Sequence, residues 1–375
     1  MRVVVAGDFC DRYRVSNLIK SEDYAALFSE VYDVIHNADY SIVNFEFPIV
    51  SENGKPIPKC GPNLAGHKNS VFAIKYAGFN VCTLANNHIL DQGANCCIET
   101  IRSLRAAGIN TVGAGNNLAE AGDILYLQAN NEKLAIINCC EHEFSIAEKN
   151  SPGANPLNPI QQFYKIQEAK QFADYILLII HGGHEHFQLP SPRMKELYHF
   201  FIDVGADVVI NHHQHCYSGY EVYKDKPIFY GLGNFLFDHI SLRNDIWNEG
   251  YLVDLVFNKH GISYKIIPYR QCTDEPTVQF LYGSDLTHFE HNIQKLNYVI
   301  RDESELENQV NEYYKRCSEY ILSILRPYRN RISKKLYRMG LLPELINEEK
   351  SLQIRNHISC ESHLEKMLYA LSHKK

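Results

Sequence analysis

Two histidine clusters follow directly on apolar runs. In YILLIIHGGHEH the run ends at His181 and His184, Glu185 and His186 come next; in ADVVINHHQHCY another run leads into His212, His213 and His215. His213 and His215 are two apart, a spacing that can aim both imidazoles at one pocket. Three further groups occupy equivalent places: Asp8 in VVVAGDFC, Asn44 and Glu46 in NFEFP, and Asn86, Asn87, His88 and Asp91 in LANNHILD. Asn44 and Glu46 share a face of an extended backbone. Glu46, between two phenylalanines and ahead of Pro48, is costly to bury unless it finds a lysine, an arginine or a cation. Asp8, Glu46, Asn87, His181, His213 and His215 together make a mixed oxygen and nitrogen donor set without a required thiolate. Such a set suits Mn²⁺, Fe²⁺ or Zn²⁺ better than Mg²⁺ or Ca²⁺. Six donors exceed the needs of one catalytic zinc and suit two cations sharing a carboxylate, a centre that activates hydroxide. His88 stays outside the set, as an imidazole able to act as a general acid near neutral pH. Asp91 either orients His88 or caps the following helix. Lys59 and Arg193 either meet an anionic substrate or are simply solvated.

These groups need strands to carry them. Short apolar runs predict strands over Arg2–Ala6, Ser41–Phe45, Asn80–Leu84, Leu134–Asn138, Tyr175–Ile180 and Asp207–Ile210, with others to Pro268. Amphipathic stretches predict helices near 22–36, 68–77, 94–107, 159–173 and 193–204. Alternation of the two is the pattern of an α/β fold. Asn258–His260 reads as a hairpin turn. Beyond about residue 280 strand signals vanish, so the division expected is residues 1–275 as the catalytic-type domain and 276–375 as a helical appendage. In that appendage Arg326–Arg338 carries Arg326, Arg329, Arg331, Lys334, Lys335 and Arg338 without an acidic residue, interleaved with Tyr328, Ile332, Leu336 and Tyr337. A basic amphipathic helix lies on anionic lipid, or packs its apolar face on the core or on a partner. Residues 344–372 predict a further helical stretch.

With 375 residues, 45% hydrophobic and 22% charged, the chain has the balance of a globular protein and not of a disordered one. Its formal charge of −7 argues against a nucleic-acid binder, which needs a cationic footprint. Eleven scattered cysteines include no CxxC pair, and several sit in apolar runs, as expected of free thiols in a reducing compartment. The first apolar run is too short for a signal-peptide core, and none approaches the ~20 residues of a membrane span. The expectation is a cytoplasmic protein.

The motifs GDFC, NFEFP, LANNHILDQG, GAGNNLAEA, HGGHEH, GADVVINHHQH and YGLGNFLFD occur in the order seen in the capsule-synthesis CapA-type family, also called the poly-γ-glutamate capsule biosynthesis family. The chain resembles that family over about residues 2–240, and the family's domain resembles the calcineurin-like metallophosphoesterases. The resemblance implies a four-layer α/β/β/α sandwich with a dinuclear metal centre. It implies Asp8 and His215 on one cation, Glu46 bridging, and Asn87, His181 and His213 on the other. It implies His88 beside the leaving group, and Asn44, with Asp91 and Glu185, outside the ligand shell. Asn234, in the last motif, is expected at the mouth of the site with Lys59 and Arg193, as a substrate contact. Three departures stand out: Gly182 follows the first histidine where an aromatic is usual, Asn211-His212-His213-Gln214-His215 lacks the usual Gly and Pro, and Cys10 replaces the histidine of D-x-H.

The function expected is a hydrolase with two divalent ions (Mn, Fe or Zn) that cleaves a phosphoester or related anionic bond through metal-activated hydroxide. Its substrate would be an anionic small molecule or polymer of capsule metabolism. Two alternatives use the same residues or none: an amidase or peptidase acting on γ-glutamyl-type amides, and a non-catalytic accessory protein for polymer synthesis or export. The basic helix would supply a peripheral contact with a membrane or a polymer-synthesis partner.

Overall fold

In the computed structural model, residues 1–52, 54–325, 328 and 330–359 are described. The strands are β1 (Arg2–Cys10), β2 (Tyr40–Phe45), β3 (Val81–Thr83), β4 (Asn110–Val112), β5 (Ala114–Gly115), β6 (Leu125–Ala129), β7 (Glu132–Cys140) and β8 (Gly153–Ala154). They continue with β9 (Tyr175–His181), β10 (Val208–His212), β11 (Tyr220–Tyr223), β12 (Lys226–Phe229), β13 (Asn234–Phe237), β14 (Glu249–Asn258), β15 (Gly261–Gln271) and β16 (Val278–Phe280). The helices are α1 (Tyr13–Lys20), α2 (Tyr24–Phe28), α3 (Tyr32–His36), α4 (Ser70–Ala77), α5 (Ala94–Ala106) and α6 (Leu118–Ala121). After them come α7 (Pro159–Ala169), α8 (Pro192–Asp203), α9 (Gly283–Arg301), α10 (Glu303–Leu325), α11 (Arg331–Arg338) and α12 (Glu348–Ser359).

Two sheets carry the architecture. One has the order β16-β15-β14-β1-β2-β3-β4, the other β11-β12-β10-β9-β7-β6. Strand alternation explains how they stack. Val3 and Val5 of β1, Ile42 and Val81 point one way and meet Leu134, Ile136, Leu177, Ile179, Val208 and Ile210 from the other sheet. Val4, Ala6, Val43 and Cys82 point the other way, against Val15, Ile19, Leu27, Ile35, Ile74 and Leu104 of the helices. The outer face of the second sheet is covered by α7, on β7, and α8, on β10. The result is a four-layer α/β/β/α sandwich. Because both faces of the central strands are buried, their sequences read as continuous apolar runs; each fully buried Val or Ile contributes about 1.5–3 kcal/mol.

The strand order delivers the polar residues to one edge. β1, β2 and β3 run parallel, as do β7, β9 and β10. Their carboxyl ends therefore open on the same crevice, the usual place for a site in such sheets. At Gly7 β1 changes partner: Arg2–Val5 pair with β14, while Asp8–Cys10 pair with β13. A Cβ on Gly7 would stand 1.8 Å from the Gly233 carbonyl oxygen, so only glycine lets β13 approach there. β13 was not predicted; Asn234–Phe237 lacks the length of the other apolar runs, and its pairing depends on this close approach. The 22–36 stretch divides into α2 and α3, and α1 precedes it unpredicted. The Asn258–Gly261 pair closes the β14–β15 hairpin at the expected turn.

The first compact unit spans Met1–Glu307, and a second begins at Asn308. The boundary expected near 275 moves because α9 buries Phe289 and Ile293 in the inter-sheet core. In the second unit no residue of α11 is buried; Arg326 and Arg329 of the predicted basic stretch lie outside the described residues, as does the predicted helix beyond residue 359. No helix among the described residues is long and apolar enough to cross a membrane. Every described cysteine is a free thiol.

Candidate metal centre

Asp8 lies near the end of β1, Glu46 follows β2, Asn87 and His88 follow β3, His181 ends β9, and His213 and His215 follow β10. All are buried. Four donor atoms crowd around one point. His181 Nε2 is 3.0 Å from Asn87 Oδ1, 3.1 Å from His213 Nδ1 and 3.8 Å from Glu46 Oε1. On the other side of Glu46, Oε1 is 3.7 Å from His215 Nε2, and Asp8 Oδ2 is 3.8 Å from His215 Nδ1. Glu46, His181 and His213 thus form one group able to hold a cation and Asp8, Glu46 and His215 a second, with Glu46 common to both.

A cation fits these groups on the structure's own terms. Glu46 Oε1 is fully buried and has no hydrogen-bond partner among the described residues. Nitrogens surround it at 3.7–4.0 Å, too far for hydrogen bonds. Ligand atoms about 2.0–2.1 Å from a shared tetrahedral ion are themselves roughly 3.3 Å apart, so the observed spacings need little adjustment. The charge state agrees. Burial first, then repulsion from Asp8 and Glu185, pushes the Glu46 carboxyl well above the usual range. Burial pushes Asp8 up too, but the His212 ring and the nearby His181 and His215 pull it down by more, to below the carboxylate range. Burial lowers His181 well below its ordinary value and His215 to about 4, which keeps their lone pairs available.

The surroundings fix the donors. Asn44 donates from Nδ2 to Asp8 Oδ1 at 2.7 Å and lies 3.4 Å from Glu46 Oε2 and 3.3 Å from His181 Nδ1. Asn86 donates in turn to Asn44 Oδ1 at 3.3 Å. His213 and His215 both sit at positive φ, 95° and 55°, a conformation costly for non-glycine residues and typical of sites where geometry is imposed. The His213 backbone N–H donates to Asp8 Oδ2 at 3.2 Å.

His88 is held from behind. Asp91 Oδ2 is 2.6 Å from His88 Nδ1, and since a carboxylate accepts, Nδ1 carries the hydrogen and Nε2 faces Glu46. Asp91 does not cap the next helix, which begins after Gly93. Its oxygens instead accept from Lys59 Nζ and from the Leu64 N–H. Burial, opposed by Asp91, lowers the His88 pKa.

A cavity of about 360 Å³ opens on the centre, lined by Lys59, Asn87, His88, Glu143, Phe144, Glu185, His215 and Trp247 among others. Three expected roles change here. Asn234 is fully buried and touches His215 instead of facing the mouth: its Nδ2 donates to the His215 and Trp247 carbonyls, so its Oδ1 accepts from His215 Nδ1 at 2.9 Å. That fixes His215 with Nε2 toward Glu46. Arg193 pairs with Glu141 and lines a neighbouring cavity, because α8 carries it past the crevice. Glu185 is exposed at the cavity wall and not behind a ligand. Cys10 packs as a buried thiol in the helix-side core, and burial pushes its pKa up. Two residues beside the centre lie outside the expected set, His212 of the second cluster and Glu143. His212 is buried with Nδ1 3.3 Å from Asp8 Oδ1, and Glu143 touches Asn87. Glu143 follows the apolar run LAIINCC, the same signal that marked the other sites.

The capsule biosynthesis protein CapA of Bacillus anthracis is 34% identical to the chain over 246 residues, covering 64% of this chain and 60% of the relative. The PGA biosynthesis protein CapA of Bacillus subtilis (strain 168) is 31% identical over 258 residues, covering 68% and 67%. The chain therefore spans about three fifths to two thirds of these relatives' length. Among solved structures, a novel phosphatase from Mycoplasma pneumoniae aligns with a TM-score of 0.44 at 15% identity, over 73% of this chain and 95% of that one. Residues 2–239, well over half the chain, match the family model described as bacterial capsule synthesis protein PGA_cap, and the chain belongs to that family.

Proposed function

We propose that the chain is a metal-dependent hydrolase of a phosphoester or related anionic bond in the metabolism of a surface polymer. The observation that carries this reading is the gathering of five donor residues, Asp8, Asn87, His181, His213 and His215, around Glu46, whose Oε1 has no hydrogen-bond partner among the described residues. Asp8 and His215 would hold one cation, Asn87, His181 and His213 the other, with Glu46 between them. Divalent ions bound there would supply Lewis acidity toward the anionic group and a nucleophile at neutral pH. His88 is the residue placed to move a proton. Its Nδ1–H is committed to Asp91, so only Nε2 can exchange with a group in the cavity. Burial disfavours its charged form, and an imidazolium formed there gives up its proton readily, as a leaving oxygen requires. Lys59 holds Asp91 in place and stands at the cavity wall, where it also meets anionic charge. The capsule and PGA biosynthesis named for the two Bacillus relatives supports an anionic polymer or its precursor as substrate.

The test is to load protein stripped by chelator with Mn²⁺, Fe²⁺ or Zn²⁺ and to assay phosphomonoesters, phosphodiesters and γ-glutamyl amides. Hydrolysis of a phosphoester that needs the cation and falls by about 10²-fold or more in His88→Ala is expected. Cleavage confined to the amides would move the reading to an amidase. Absence of both bound cation and turnover would overturn it.

A further inference from the structure

Glu143 lies on the loop after β7 and has no place in the donor set, yet it reaches two of its members. Its Oε2 accepts from Asn87 Nδ2 at 2.9 Å, and its Oε1 is 3.9 Å from His213 Nε2. Each contact is with the atom that faces away from Glu46. An asparagine ligates a cation only through Oδ1, so a carboxylate on Nδ2 decides which way the amide is turned. With Nδ2 on Glu143, Oδ1 stands 3.0 Å from His181 Nε2, inside the donor cluster. His213 feels the same carboxylate by charge and not by a hydrogen bond: Nδ1 is 3.1 Å from His181 Nε2, and Nε2 stands 3.9 Å from Glu143 Oε1. Metal-bound histidines generally direct their second ring nitrogen to a carboxylate or carbonyl, which fixes the tautomer and raises the basicity of the ligating nitrogen.

The loop itself is pinned for this purpose. Ser145, two residues on, donates from Oγ to the Asn87 carbonyl at 2.8 Å and accepts from the Leu90 N–H at 3.1 Å. Ser145 thus ties the Glu143 loop to the Asn87 loop, although the Glu143 side chain itself is 38% exposed. On the opposite side of the centre Asn234 does the same for His215, whereas the Glu143 carboxylate is directed at Asn87 and His213.

We infer that Glu143 is a positioning residue for one cation only, the one held by Asn87, His181 and His213, and that it sets the occupancy of that half of the centre. The inference rests on the metal-centre reading above and deepens it.

Trp247, the chain's single tryptophan, lies beside the Asp8 and His215 side of the centre. Its ring centroid is 4.7 Å from that of His215, so a paramagnetic ion on the Asp8 and His215 side quenches it more strongly than one on the other side. Full-length protein stripped of metal is titrated with Co²⁺, with bound metal measured by equilibrium dialysis and Trp247 quenching followed in parallel. Wild type should take two ions. Glu143→Ala should bind one ion with unchanged quenching, and the second about 10–100-fold more weakly. Glu143→Gln should lose nearly as much, since its NH2 would face the His213 or Asn87 donor. Restoring the charge with Glu143→Asp should recover part of the loss, which a merely structural role would not require. Because Glu143 is exposed, thermal unfolding of the metal-free variants should match wild type. Two ions bound by Glu143→Ala with wild-type affinity would overturn the inference alone, and so would a uniform loss of both. Wild type that binds no Co²⁺ would overturn the metal-centre reading and this inference with it.

Discussion

Glu46 shows most plainly what the site costs when it holds no cation. Its carboxylate is completely buried, one oxygen lacks a hydrogen bond, and Asp8 lies close enough to raise its pKa. A buried charged group left unsatisfied destabilises a fold by about 1–3 kcal/mol or more. Glu46→Gln should therefore make chelator-treated protein more stable by on the order of 1–3 kcal/mol, seen as a higher Tm. Under saturating Mn²⁺ the order should reverse, since wild type gains the binding free energy and the variant loses its shared ligand. A variant less stable than wild type without cation would show that Glu46 has a compensating partner. At this scale the sequence was legible where a polar residue ends an apolar run, as at Asp8, His181 and the His213–His215 pair. It was misleading at Asn234 and Arg193, whose roles depend on which neighbour their side chains meet. Asn234 meets His215, 19 residues earlier, and Arg193 meets Glu141, 52 residues earlier.

Elements explain why the apolar runs were readable and some pairings were not. β1, β2, β7, β9 and β10 are buried on both faces, so their composition alone marks them. β13 and the two-residue pair β5–β8 are defined by partners and leave little trace. α11 is the element whose sequence pattern stands without a burying surface among the described residues. At about 100° per residue, Arg331, Lys334, Lys335 and Arg338 fall within an arc of about 100°, with Ile332 and Leu336 on the opposite side. None of its residues is buried, and Ile332 is 73% exposed. That combination fits an anionic lipid surface, where each basic residue contributes about 1 kcal/mol. Full-length protein should sediment with phosphatidylglycerol vesicles at low salt, and the pair Lys334→Glu with Lys335→Glu should weaken this by more than about tenfold. Equal binding to phosphatidylcholine, or none to either, would leave α11 to a protein partner.

For the whole molecule, the alternation of runs indicates an α/β fold, and it is the resemblance carried by the motifs that implies the two-sheet sandwich, in which the parallel strands send their carboxyl ends to one crevice. The limit of the folded unit was not legible, since α9 shares the charged, helical texture of α10 while its buried side complements the sheets. Phe289 packs on Tyr217 in a tilted pair at 4.6 Å between centroids. Asn297 accepts from the Tyr220 N–H at 2.7 Å, and the Ile300 carbonyl accepts from the buried Lys195 at 2.7 Å. Two truncations separate the alternatives. A chain ending at residue 307 should unfold in one cooperative transition and keep both cations and the quenching of Trp247. A chain ending at residue 275 leaves Tyr217 and Tyr251 uncovered and loses Phe289, Ile293 and Ile300, each worth about 2–5 kcal/mol when removed from a core. That sum exceeds about 5 kcal/mol, the lower end of what holds a domain folded, so the shorter chain should lack a cooperative transition in chemical denaturation. Equal stability of the two would mean that α9 covers the sheets without supporting them, and that the metal centre is supported by the strands before residue 275 alone.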